Sequence, residues 1–114
     1  IRRDNKVTEG STITINYVSG TSGKIQQMSL SKKLMRNKSK CIFIDDFLRG
    51  GGTAQGIKDL LSEFESELVG IAVLVDNIGV KNKRVDDYLK IVDLQHVGEN
   101  KELVIKPSEL INLL

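Results

Sequence analysis

The stretch CIFIDDFLRGGGT, residues 41–53, runs four apolar residues straight into two adjacent carboxylates and then into three consecutive glycines. A short apolar run bounded by polar residues suits a strand covered on both faces in a parallel sheet. In such a sheet, ligands collect beyond the carboxyl ends of the strands, where each loop feeds the N-terminus of the next helix. Asp45 and Asp46 occupy that edge, Gly50, Gly51 and Gly52 follow, and Thr53 opens the predicted helix. Consecutive glycines let several backbone N–H groups converge on an anion, and a helix start adds roughly half a positive charge. A phosphate fits there. The carboxylates would repel a phosphate that they faced, so they must meet another group. Ribose hydroxyls or a magnesium ion bridging oxygens are the candidates. Phosphate at the glycines and sugar at the aspartates make a ribose 5-phosphate.

Residues 69–75, VGIAVLV, form a second unbroken apolar run. Between the runs, Ile57, Leu60, Leu61, Phe64 and Leu68 recur at three- and four-residue spacing, which predicts one apolar stripe on a helix. Strand, helix and strand in this span make a βαβ unit. Upstream, residues 11–18 alternate, with Ile13, Ile15 and Tyr17 on one side and Thr12, Thr14 and Asn16 on the other. The turn residues at 19–23 and a return strand over 24–30 predict a hairpin with a mobile, glycine-rich tip. Downstream, the pattern predicts a short helix over 85–89, strands over 91–97 and 103–105, and a terminal helix capped by Ser108. The fold class is α/β.

The 114 residues suffice for one hydrophobic core and not for two. With 17 basic and 15 acidic side chains, the charge is too balanced to mark a nucleic-acid or membrane binder, so any polyanion must be met locally. The single cysteine, Cys41, cannot form an internal disulfide, and no apolar run has the length of a membrane span. Without a signal-peptide pattern, the expected address is the cytoplasm. The chain opens on Ile1 and not on methionine, which suggests a piece of a longer polypeptide.

The commoner phosphate motifs are absent. Gly51 to Gly56 has Walker A spacing but is followed by Ile57 and Lys58, and a dinucleotide fingerprint from Gly50 would need glycine at the position of Gln55. The stretch instead resembles the phosphoribosyl pyrophosphate signature of the type I phosphoribosyltransferase family: apolar strand, two acids, a few variable residues and a loop ending Gly-Gly-Thr. The resemblance implies a parallel sheet with flanking helices and a flexible β-hairpin, residues 1–114 being the C-terminal part of that domain. Asp45 and Asp46 would hold the ribose, while Arg49, Gly50, Gly51, Gly52 and Thr53 would hold the 5-phosphate.

Arg2, Arg3 and Lys6, followed by the strand with Tyr17 and the turn at 19–23, look like the flexible catalytic loop of adenine-type members, whose basic residues approach pyrophosphate. Arg3, Lys6 and Tyr17 are therefore expected at the ligand, and arginine can grip a pyrophosphate in two places. The adenine-type loop carries a glutamate beside a tyrosine near its tip, whereas this chain reads Ser19-Gly20-Thr21. The resemblance thus implies binding without a catalytic residue.

The segments NYVSGTSGKIQQMSL, CIFIDDFLRGGGTAQGI and LVGIAVLVDN are together similar to the effector domains of the bacterial purine-operon repressor family. There, a winged-helix DNA-binding domain precedes a phosphoribosyltransferase-like domain that binds phosphoribosyl pyrophosphate as inducer without turning it over. This implies a homodimer, operator DNA bound through a winged helix outside these residues, and no required cofactor beyond a magnesium ion that can accompany the effector. Arg49-Gly50 stands where the enzymes commonly have Ala-Thr, which favours a regulator. The alternative is an active xanthine-type salvage enzyme, which shares the DDFL start of the loop.

Smaller features carry less. Lys32, Lys33, Arg36, Lys38 and Lys40 form a basic cluster that reads as a solvated surface before it reads as a track for DNA. Asp86-Asp87 repeats the acidic pair without a glycine loop and is expected to face solvent. His96 has no second histidine or cysteine nearby, so no metal site is expected and a partly buried strand histidine is. Cys41 reads as packing and not as a reactive thiol.

Overall fold

The computed structural model describes residues 1–3, 11–19, 22–97 and 102–113. In chain order the elements are β1 (Arg2–Arg3), β2 (Thr12–Val18), β3 (Ile25–Ser31), β4 (Lys40–Leu48), α1 (Gly52–Ser62), β5 (Glu67–Asn77), β6 (Leu89–Val97), β7 (Glu102–Pro107) and α2 (Glu109–Asn112). Four strands form one sheet in the order β4-β5-β6-β7, with β4, β5 and β6 parallel and β7 antiparallel. The others form an antiparallel sheet in the order β1-β3-β2. Strand β4, helix α1 and strand β5 are the βαβ unit expected from the apolar runs.

The hairpin of β2 and β3 pairs from Thr12 with Ser31 to Val18 with Ile25. Its Ile13, Ile15 and Tyr17 face packs on α1, in a core of Tyr17, Met28, Ile57, Leu60, Leu61 and Phe64 that also takes Cys41, Phe43 and Leu68. The period-two side and the helical stripe thus bury each other. Gly56 permits the approach, since a Cβ there would lie 2.7 Å from the Tyr17 Cβ.

Several expectations need correction. The helix stops at Ser62, so Leu68 lies on β5. The stop has a backbone cause: Glu65 turns left-handed at φ 52, and the Ser66 N–H closes back on the Leu61 carbonyl at 3.0 Å. No helix forms over 85–89, where Val85 packs beside Gly51 and the Tyr88 hydroxyl bonds to Asp76 on β5. The terminal helix is present, but the Ser108 hydroxyl donates to the Lys90 carbonyl and not to the helix it precedes. His96 lies on β6 and is exposed.

The apolar runs predict strands covered on both faces. Instead Ile42 and Ile44 are 66% and 75% exposed, while Cys41 and Phe43 between them pack toward α1. Pairing sets Ile42 beside Gly70 and Ile44 beside Ala72, and Ala72 beside Leu89, so one apolar face of the sheet is open to solvent among the described residues.

A candidate phosphosugar site at the end of the first parallel strand

The acidic pair lies within β4, near its carboxyl end, and not beyond it. Successive strand residues point to opposite faces. Asp45 is half-buried on the side of Phe43, whereas Asp46 is exposed. The Asp46 N–H donates to Asp45 Oδ1 at 3.0 Å, which orients that carboxylate along the strand.

Beyond Leu48 the chain turns through exposed Arg49 and half-buried Gly50 to buried Gly51 and Gly52. Gly51 is the N-cap of α1, at φ 77 and ψ 8, a left-handed conformation that favours glycine. The helix starts at Gly52, one residue earlier than expected, with no side-chain cap and no acid in its first turn. A helix start leaves its first N–H groups without intrahelical partners. Those of α1 suit an anion.

A cleft of about 450 Å³ brings Asp45 and Thr53 together over Met28, Phe43 and Ile57. The acid from the strand and the threonine from the helix start therefore line one cleft. Tyr17 stands apart from them, buried in the core with its hydroxyl donating to Gln26 Oε1 at 3.0 Å. The Arg3 backbone pairs with Met28 on β3, while Lys6 lies outside the described residues. Among the described residues, no group of three or more His, Cys, Asp or Glu side chains could hold a metal ion.

Sequence reading missed a cluster at the end of β5. Asp76 is paired with Leu48 of β4 in register and is 1% exposed. Its carboxylate takes Lys83 Nζ on Oδ1, and on Oδ2 the Tyr88 hydroxyl at 2.9 Å and Lys90 Nζ at 3.2 Å. Lys83 also donates to the Tyr88 hydroxyl at 3.0 Å, and Lys90 forms an ion pair with Asp93 at 2.8 Å. Two carboxylates thus balance two ammonium groups. Burial pushes the Asp76 carboxyl up, but the hydrogen bonds from Lys83, Tyr88 and Lys90 and the Lys83 charge outweigh it, so the group titrates below its usual range. The only signal in the sequence is an acid closing an apolar run with lysines and a tyrosine downstream.

The pattern of the phosphoribosyl transferase domain family matches residues 1–110. The chain belongs to that family. It is 46% identical over 104 residues to the purine biosynthesis transcriptional repressor of Bacillus subtilis, a match covering 91% of this chain and 36% of the relative. It is 34% identical over 113 residues to a purine biosynthesis transcriptional activator of Lactococcus lactis, covering 98% of this chain and 42% of that one. A shorter match, 33% over 61 residues, joins 54% of the chain to 32% of a xanthine phosphoribosyltransferase of Clostridioides difficile. The chain therefore spans about two fifths of the regulators it matches. The fold is that of an adenine phosphoribosyltransferase from Rhodothermus marinus, with TM-score 0.70 at 21% identity over 82% of this chain and 53% of that one. As a phosphoribosyltransferase-family chain similar to purine regulators, it carries the fold expected from residues 41–53.

Proposed function

We propose that this chain is the effector-binding portion of a transcriptional repressor of purine biosynthesis genes, with phosphoribosyl pyrophosphate as inducer. The observation that carries the reading is the cleft shared by Asp45 and Thr53 beside the glycine turn. Asp45 and Asp46 accept hydrogen bonds from the ribose hydroxyls. Arg49, Gly50, Gly51, Gly52 and Thr53 receive the 5-phosphate, and Arg3 and Lys6 meet the pyrophosphate. A magnesium ion accompanying the effector would supply positive charge to the pyrophosphate.

The similarity to named regulators supports a signalling role over turnover, as does the Ser19-Gly20-Thr21 sequence in place of an acidic loop tip. One relative is named a repressor and another an activator; the higher identity lies with the repressor. In this reading a homodimeric, cytoplasmic protein binds operator DNA through a winged helix outside these residues. The effector releases the DNA by binding the DNA-free state more tightly.

Fluorescence anisotropy of the full-length regulator on DNA from upstream of purine biosynthesis genes tests this. Phosphoribosyl pyrophosphate is expected to release the DNA. Formation of a nucleotide and pyrophosphate on addition of xanthine would establish the enzyme instead.

A further inference from the structure

Residues 78–88, between β5 and β6, contain no helix or strand yet touch the glycine turn. The Arg84 N–H donates to the Gly50 carbonyl at 2.9 Å. Val85 fills the space opposite Gly51, where a Cβ would meet Val85 Cγ2 at 2.9 Å and the Val85 nitrogen at 3.2 Å. The turn is therefore braced from outside its own loop.

The brace is itself held by a charge. Asn82, left-handed at φ 56, turns the chain so that Lys83 points inward, and the Lys83 side chain is 11% exposed with its ammonium on Asp76. Asparagine tolerates that conformation better than most residues. Tyr88 ties the far end of the segment to the same carboxylate. An ammonium this deep is stable only while its carboxylate is present.

We infer that Asp76 is a positioning residue for the glycine turn: through Lys83 it fixes Arg84 and Val85, which set the shape of the backbone at Gly50 and Gly51. Asp76 touches no ligand in this arrangement. The inference rests on the reading of the turn as the seat of the 5-phosphate. Without the carboxylate, Lys83 turns out to solvent and carries its neighbour Arg84 away from Gly50.

Two variants test the inference, Asp76→Asn and Lys83→Met, each with amide hydrogen exchange in the free protein and calorimetric titration of phosphoribosyl pyrophosphate. Exchange at the Arg84 amide is expected to accelerate in both, and by more than exchange at Leu60 in the core, which follows only the global loss of stability. Affinity is expected to fall about tenfold in each, and no further in the double variant, because both changes break one chain of contacts. If Asp76→Asn fails to fold, Lys83→Met decides alone, since it leaves Tyr88 and Lys90 on the carboxylate. Unchanged exchange at Arg84 overturns the inference. So does equal acceleration at Leu60, which would mean general loosening, and so does wild-type affinity in a variant whose Arg84 amide has been released. If the unmodified protein does not bind phosphoribosyl pyrophosphate, the ligand assignment fails and the exchange measurement still judges the brace.

Discussion

The Arg84 N–H lies 2.9 Å from the Gly50 carbonyl, so the glycine turn after β4 is held by the segment that follows β5. The next residue of each partner is also in contact, Val85 against Gly51.

Alanine at Gly51 is expected to harm the protein in two ways. The left-handed φ of 77 costs an L-residue about 1–2 kcal/mol, and the added methyl would sit 2.9 Å from Val85 Cγ2. Urea denaturation should show the combined loss. Adding Val85→Ala should recover the part due to the Val85 side chain and leave the left-handed backbone cost and the 3.2 Å approach to the residue 85 nitrogen.

Leu60 is fully buried among Tyr17, Met28 and Ile57, where α1 meets the hairpin. Leu60→Ala should lower stability by about 2–5 kcal/mol through lost burial and a residual cavity. Gly56→Ala should cost about 1–3 kcal/mol by overpacking, because its Cβ would lie 2.7 Å from the Tyr17 Cβ. Denaturant midpoints of the two variants measure both losses, and a wild-type midpoint for either would refute the packing described.

The Asp76 cluster gives stability a pH dependence of defined sign. Its carboxyl titrates below the ordinary 3.8 in the folded state, so between the two values the unfolded chain binds more protons. The stabilisation is complete above about pH 4 and is lost as pH falls through the folded value. Asp76→Asn should therefore be less stable than the parent at neutral pH, with the gap narrowing on acidification below pH 4. Thermal unfolding from pH 7 to pH 2 checks this. Lys83, Tyr88, Lys90 and Asp93 are the charged and titratable groups that surround the carboxylate.

The parts of the fold legible in the sequence are those in which one local pattern decides one element. Four apolar residues before Asp45 read as a parallel strand, and Ile13, Ile15 and Tyr17 read as the inner side of a hairpin; both are so. The expectations that failed depended on neighbours distant in sequence. Residues 85–89 have a helical pattern, but Tyr88 bonds to Asp76 and Arg84 to Gly50, and residues 85–88 form neither helix nor strand. Tyr17 is aromatic on a strand that leads to a loop, which suits a ligand as well as a core; the absence of a side chain at Gly56 is what draws it inward. In the candidate site, Asp45 and the glycines stand out in the sequence because acids and consecutive glycines are chemically distinctive. Asp76 does not, because an acid at a strand end shows its burial only when its lysines are placed around it.

In the proposed function, Asp45 and Asp46 hold the ribose of phosphoribosyl pyrophosphate. Calorimetric titration of that compound into the protein and into its Asp45→Ala, Asp46→Ala double variant tests it most directly. Each lost charge-assisted hydrogen bond is worth about 1.5–3 kcal/mol, so the pair should weaken binding by about 100-fold or more. Equal affinity in the two proteins would mean that the acidic pair does not hold the ribose.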